Sequence, residues 1–158
     1  MLQPGSTIPD LSAPDQHNQT KPLRARLGSR GGILYFYPRD NTPGCTLEAN
    51  DFQALGPAFA ALGHEVIGIS KDSVTSHVGF CAKYGLAFTL LSDGDGALCE
   101  AFGVWKEKTQ YGKTSMGIVR STFVVDAAGV VHKVYTNVKT KGHAEAVLAE
   151  LTRRLGAA

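Results

Sequence analysis

Cys45 is the residue whose type and neighbours point most directly to chemistry. It lies in the segment Pro38-Arg39-Asp40-Asn41-Thr42-Pro43-Gly44-Cys45-Thr46-Leu47-Glu48, just past an apolar run. Thr42 is a natural helix N-cap and Pro43 a natural first helical residue. The thiol then falls in a first helical turn, where backbone N–H groups lack partners and the helix dipole is positive. That setting stabilises a thiolate, the nucleophilic form of cysteine. A lone cysteine is otherwise most often a small buried hydrophobe. The capped helix start, and Gly44 leaving room for a close backbone approach, favour a reactive thiol here.

Arg120 is the second informative residue. In Ile118–Val125, read as one strand, one face carries Arg120, Thr122 and Val124; the other carries Val119, Ser121, Phe123 and Val125. A charge in such a strand is costly unless it is paired or used. The plain alternative is an arginine at the strand's exposed end. The two other cysteines read locally as core: Cys81 on the inward helical stripe Val74, His77, Val78, Cys81, and Cys99 beside Leu98 and Phe102.

Other motifs fail on inspection. Asp93-Gly94-Asp95-Gly96 hints at a calcium loop, but Ala97 and Val104 stand where later ligands are needed. A phosphatase loop would need arginine at Asp51, and there is no Cys-x-x-Cys. The five histidines (His17, His64, His77, His132, His143) lack zinc-site spacing, so no metal is expected. No histidine adjoins Cys45 in the expected topology, which argues against a cysteine–histidine protease dyad.

The elements that position these residues can be read along the chain. The first 30 residues are turn-rich and read as loops and short edge strands. Gly32–Tyr37 is a continuous apolar run that predicts a fully buried strand, stopped by Pro38. A helix from Thr42-Pro43 carries Phe52, Leu55, Phe59 and Leu62, and Gly56-Pro57 predicts a break or kink in it. Glu65–Ser70 is the next strand. A second helix is capped by Asp72 or Ser73. Phe88–Leu91 is a short strand and Ala97–Phe102 a short helix. Ile118–Val125 and Val130–Tyr135 form a hairpin around Asp126-Ala127-Ala128-Gly129, and Gly142–Leu155 is the closing amphipathic helix. The order β-α-β-α-β-(α)-β-β-α predicts an α/β fold with a mixed sheet, as one domain over 1–158.

Composition sets the outer limits. A chain of 158 residues can bury roughly 70% of its unfolded surface without a disulfide or metal staple. Hydrophobic residues at 43% and charged residues at 19% give a globular balance. A net charge of +2 argues against a dedicated nucleic-acid binder. No apolar run is long enough for a membrane span, and Met1–Gly5 shows no secretory signal. Three unevenly placed cysteines do not make a secreted disulfide framework, so the cytoplasm is the expected compartment.

The segment around Cys45 resembles the active-site pattern of the peroxiredoxin family: Pro, three residues, Thr, two residues, Cys. Pro38, Thr42 and Cys45 fit it. Gly103-Val104-Trp105, Glu107, Gly112-Lys113, Arg120 and Thr122-Phe123 are similar to the bacterioferritin comigratory protein, or peroxiredoxin Q, branch. The similarity runs from about Leu2 to Leu155. It implies a thioredoxin-like fold, a mixed central sheet flanked by helices, and thiol-dependent reduction of hydrogen peroxide and organic hydroperoxides without a cofactor. It places Arg120 facing the thiolate. An unperturbed thiol is about 3% thiolate at pH 7, and lowering its pKa to about 6 gains only ~30-fold. The larger contribution must come from donors that stabilise the leaving oxygen, each worth roughly 2.7–4 kcal/mol. The candidates are the Arg120 guanidinium, the Thr42 hydroxyl and the backbone N–H groups of Gly44 and Cys45, with Pro38 excluding water.

Many relatives carry a second cysteine five residues after the first, where this chain has Asn50. Another group in the branch places its resolving cysteine on the following helix, and Cys81 matches it. The resemblance therefore implies an intramolecular Cys45–Cys81 disulfide; since the two cysteines sit on separate packed helices, forming it is expected to require local unfolding. It also implies a monomer and recycling by thioredoxin or glutaredoxin. A one-cysteine peroxidase served by an external thiol is the alternative within enzymes; a redox sensor that uses Cys45 oxidation without turnover is the alternative outside them.

Overall fold

The computed structural model describes residues 1–156. The chain runs β1 (Ser12–Pro14), β2 (Thr20–Pro22), a 3-10 turn (Leu23–Arg26), β3 (Gly31–Phe36), α1 (Pro43–Ala61), β4 (His64–Ser70), α2 (Val74–Tyr84) and β5 (Thr89–Ser92). It continues through α3 (Ala97–Phe102), β6 (Trp105–Gln110), β7 (Lys113–Ile118), β8 (Ser121–Asp126), β9 (Val131–Tyr135) and α4 (His143–Gly156). The central sheet has the order β5-β4-β3-β8-β9. β3, β4 and β5 are parallel, joined by the α1 and α2 crossovers, while β8 is antiparallel to β3 and to β9. This is the mixed sheet that the alternation of elements predicts.

All six residues of β3 are buried, because helices and loops cover both sides of the sheet. Ile33 and Tyr35 face a layer built by α1, α2 and α4, with Phe52, Phe59, Phe80, Val147 and Leu151. Leu34 and Phe36 face the other layer, where α3 brings Leu98, Cys99 and Phe102 against Ile8, Leu23 and Phe123. The same alternation runs along β8: Val124 belongs to the first layer, Phe123 and Val125 to the second.

Two expectations need correction, and one strand has no sequence signature. The helix expected to break at Gly56-Pro57 is continuous from Pro43 to Ala61, with Pro57 inside it. Phe52 and Phe59, two turns apart and both fully buried, flank the proline and hold the helix on the sheet. The expected strand Ile118–Val125 is two strands, parted at Val119-Arg120, because β7 pairs with β6 while β8 pairs with β3 and β9. β6 itself escapes sequence reading. Its residues show no apolar alternation, and it belongs to a separate two-stranded ribbon with β7. The ribbon turns at Tyr111 (φ 53°) and Gly112 (φ 76°), the pair of left-handed residues that a two-residue hairpin turn requires.

Pro57 removes a hydrogen bond from the middle of a helix that packing alone keeps whole. Pro57→Ala is expected to stabilise the protein by about 1–3 kcal/mol, read as a higher urea midpoint. An unchanged or lower midpoint would show that the ring is accommodated without cost.

Candidate active site

The site forms where α1 begins and where β7 hands over to β8. Cys45 occupies the first turn of α1 and is 1% exposed. Arg120 sits at the joint between the two strands, outside both pairing patterns. Its neighbours pin that joint: Val119 N donates to Val104 O at 2.8 Å, and Val138 N donates to Arg120 O at 3.1 Å. Arg120 shares the parity of Thr122 and Val124, so its side chain enters the α1 layer. There Nη2 donates to Cys45 Sγ at 3.3 Å, and Nη1 donates to Glu48 Oε1 at 2.7 Å. A Cβ on Gly44 would lie 3.3 Å from Arg120 Nη2, so the group that approaches Gly44 closely is the guanidinium itself.

Thr42 holds the N-cap position, but its side chain does not cap the helix. Its hydroxyl donates to Arg39 O at 2.9 Å, and the first turn is closed by Thr46 N donating to Thr42 O. The capping hydrogen bond that the sequence predicts is therefore absent. Pro38 is exposed and lines an open cleft of about 540 Å³ together with Lys108, Val119, Arg120 and Asn137. Arg120, which contacts Cys45 Sγ, forms part of the wall of this cleft.

Glu48 was not legible as a site residue. It lies three positions after Cys45, one turn along the same helix side, and an acid at that spacing ordinarily reads as a solvated face. Here its carboxylate is fully buried. Burial pushes it up to about 7, and the charge and hydrogen bond of Arg120 reverse only part of that rise. Its Oε2 is buried without a hydrogen-bond partner, which suits a carboxyl that takes up a proton near neutrality. Burial works against the Arg120 charge, but Glu48 and Cys45 outweigh it and hold the guanidinium above its ordinary value. Arg120 thus stays charged, and Glu48 is the partner that titrates. His143 Nε2 meets Thr122 Oγ1 at 2.8 Å. Burial, reinforced by Arg120, pushes His143 down to about 4 and keeps the ring neutral.

The three cysteines are free, and the sheet sorts them. Cys45 belongs to the α1–α2–α4 layer, and half-buried Cys81 packs against that same layer from α2. Cys99 is fully buried in the opposite layer, on α3. The Cys81 thiol is pushed up to about 11 by burial and by the charge of Asp40. Burial and Asp93 hold the Cys99 thiol far above its ordinary range. On α2 the buried residues are His77, as expected, and Phe80, while Val78 of the predicted stripe is 48% exposed. Among the described residues, Asp40, Asp72 and His77 are the group whose ligand atoms lie close enough to hold a metal ion.

A buried cysteine beneath an arginine, at the start of a helix that flanks a mixed sheet, defines a thiol enzyme. The chain belongs to the AhpC/TSA family, whose family model matches residues 4–134. It is 56% identical over 129 residues to peroxiredoxin Bcp of Xanthomonas campestris pv. campestris, covering 82% of this chain and 80% of that protein. It superimposes on the bacterioferritin comigratory protein of Xanthomonas campestris, a structure described for alkyl peroxide reduction activity, with a TM-score of 0.88 and 46% identity over 96% of this chain and 99% of that one. Two structures of Xanthomonas campestris peroxiredoxin Q, each with one cysteine changed to serine, match with TM-scores of 0.86 and 50% identity over 92% of this chain and 92% and 91% of theirs. The peroxiredoxin resemblance, the thioredoxin-like fold and the peroxidase class all hold.

Two outcomes follow from the geometry. Arg120→Lys keeps the charge but loses the planar fork that serves sulfur and carboxylate together. The second-order rate of peroxide reduction is expected to fall by about tenfold or more, and a rate within twofold of wild type would remove the fork from the mechanism. Glu48 binds its proton up to about pH 7 when folded and up to its ordinary 4.5 when unfolded. The folded state therefore holds the extra proton between those values, and stability is lost as pH rises through that window. The loss is on the order of 3 kcal/mol. Glu48→Gln should abolish that slope, measured as urea stability from pH 4.5 to 8; equal slopes in both proteins would refute the assignment.

Proposed function

We propose that the chain is a two-cysteine peroxidase in which Cys45 attacks the peroxide and Cys81 resolves the product. The Cys45 thiolate attacks one oxygen of ROOH: an S–O bond forms, the O–O bond breaks, and ROH leaves after taking a proton. The Arg120 guanidinium, already on the sulfur, stabilises charge on the leaving oxygen, as do the N–H groups of Gly44 and Cys45. Pro38 shields the sulfur from water at the mouth of the cleft, and Thr42 positions the peroxide beside it. The Cys81 thiolate then attacks the sulfenic sulfur. A Cys45–Cys81 bond forms and the hydroxyl leaves as water. A dithiol reductant, thioredoxin or glutaredoxin, restores both thiols. The enzyme acts as a monomer in the cytoplasm, with 1–158 as one domain and hydrogen peroxide and organic hydroperoxides as substrates.

The observation that carries the pairing is the sorting of thiols by the sheet. Cys81 shares the layer of Cys45, whereas Cys99 lies across the sheet from both. A disulfide needs Cα atoms within about 4.4–6.8 Å, which opening of α1 and α2 on one face can supply and which a β-sheet in between forbids. The raised Cys81 pKa favours one second reading, resolution by an external thiol.

Peroxide-treated protein should show a Cys45–Cys81 crosslink by mass spectrometry with Cys99 free. Cys45→Ser should lose NADPH-coupled turnover with thioredoxin and its reductase. A Cys45–Cys99 crosslink, or turnover retained in Cys45→Ser, would defeat the proposal; a persistent sulfenic acid with Cys81 unmodified would favour the external thiol.

A further inference from the structure

We infer that Asp40 is a latch: it holds the helix that carries Cys81 against the loop that leads to Cys45, and so sets how fast oxidised Cys45 is resolved relative to how fast it is oxidised further. This rests on the Cys45–Cys81 reading above.

Asp40 lies in the loop between β3 and α1 and is 6% exposed. Its carboxylate accepts three hydrogen bonds. Tyr37 Oη donates to Oδ1 at 2.6 Å, and Ser76 Oγ and His77 Nδ1 donate to Oδ2 at 2.8 and 2.7 Å. Its backbone N donates to Asp72 Oδ2 at 2.9 Å, just ahead of α2. His77 Nε2 lies 3.0 Å from Leu91 O, so each ring nitrogen faces an oxygen acceptor. Burial raises the Asp40 carboxyl, but the bonds from His77, Tyr37 and Ser76 outweigh it and leave the group below its ordinary range. The two side chains of the Asp40–His77 pair are almost wholly buried. The acidic oxygens that could hold a cation are thus already engaged by protein donors.

This cluster helps to seat α2. The buried residues of that helix are Phe80 and His77, one an apolar anchor and the other bound to Asp40. Cys81 follows His77 by one turn. Burial, and after it the charge of Asp40, holds the Cys81 thiol up at about 11. Release of the latch frees the helix and lessens both influences on the thiol together.

Sulfenic Cys45 has two fates. Attack by Cys81 forms the disulfide and releases water. A second ROOH instead adds an oxygen to the sulfur, giving sulfinic acid and ROH. The first fate waits on local opening, which a buried charge-assisted cluster makes rarer.

The test compares wild type with Asp40→Asn and with Ser76→Ala, which removes a single bond to the carboxylate. Two quantities are read: the rate of Cys45–Cys81 disulfide formation after one equivalent of hydrogen peroxide, and the peroxide dose that converts half of Cys45 to sulfinic acid. Asp40→Asn should raise both about tenfold, and Ser76→Ala a few-fold in the same direction. Val147→Ala, in the α4 core, should lower global stability and move neither quantity. Unchanged or lowered values in both latch variants, or equal gains in Val147→Ala, would overturn the inference alone. A wild type that forms no Cys45–Cys81 disulfide would overturn it together with the reading on which it rests.

Discussion

One guanidinium shared between a thiol sulfur and a buried carboxylate is the contact on which the site depends. Arg120 is mostly buried, and a charge in that position needs a partner. Glu48 supplies one, on the same helix turn that presents Cys45. The result is a cation held at fixed distance from the sulfur by a second, rigid bond. Much of the local architecture follows. β7 and β8 part at Arg120, because its backbone must leave one ribbon before the next strand begins. Gly44 has no side chain where the guanidinium passes. His143, kept neutral, places no second positive charge beside it.

That same packing opposes the second half of the reaction. Cys45 is almost fully buried and Cys81 half-buried, each on a helix seated against the sheet. A site built tightly enough to orient the arginine must loosen before its cysteines can meet. The two helices are unequally secured. α1 carries a proline in its interior but is clamped by two buried phenylalanines. The buried residues of α2 are one phenylalanine and one histidine bonded to the Asp40 carboxylate. Stability is thus distributed so that the helix with the resolving thiol rests on fewer buried groups.

The sheet also divides the chemistry. Its helix-rich face gathers the two cysteines of the proposed cycle, the arginine, the glutamate and the Asp40 cluster. Its other face holds Cys99 within an apolar layer. A third thiol can persist in a redox enzyme when a layer of strands stands between it and the reactive sulfur.

Cys45 at a helix start, the buried strand before it, and the short helix at Ala97–Phe102 between Gly96 and Gly103 were legible in the sequence alone, because local rules govern them: turn residues, a proline at the first helical position, and apolar runs. The parity of Arg120 with Thr122 and Val124 was legible too, and it set the direction of the side chain. The end of the strand was not, since its alternation continues across a point where only the pairing partners change. β6 was invisible because it pairs with β7 in a ribbon apart from the central sheet, and its residues show no apolar alternation. Glu48 and Asp40 carry no sequence signal of burial, and the inward position of His77 does not name its partner. What buries them is the approach of segments 72 and 37 positions away, and no local pattern records the loss of water that turns a surface acid into a partner for arginine or histidine.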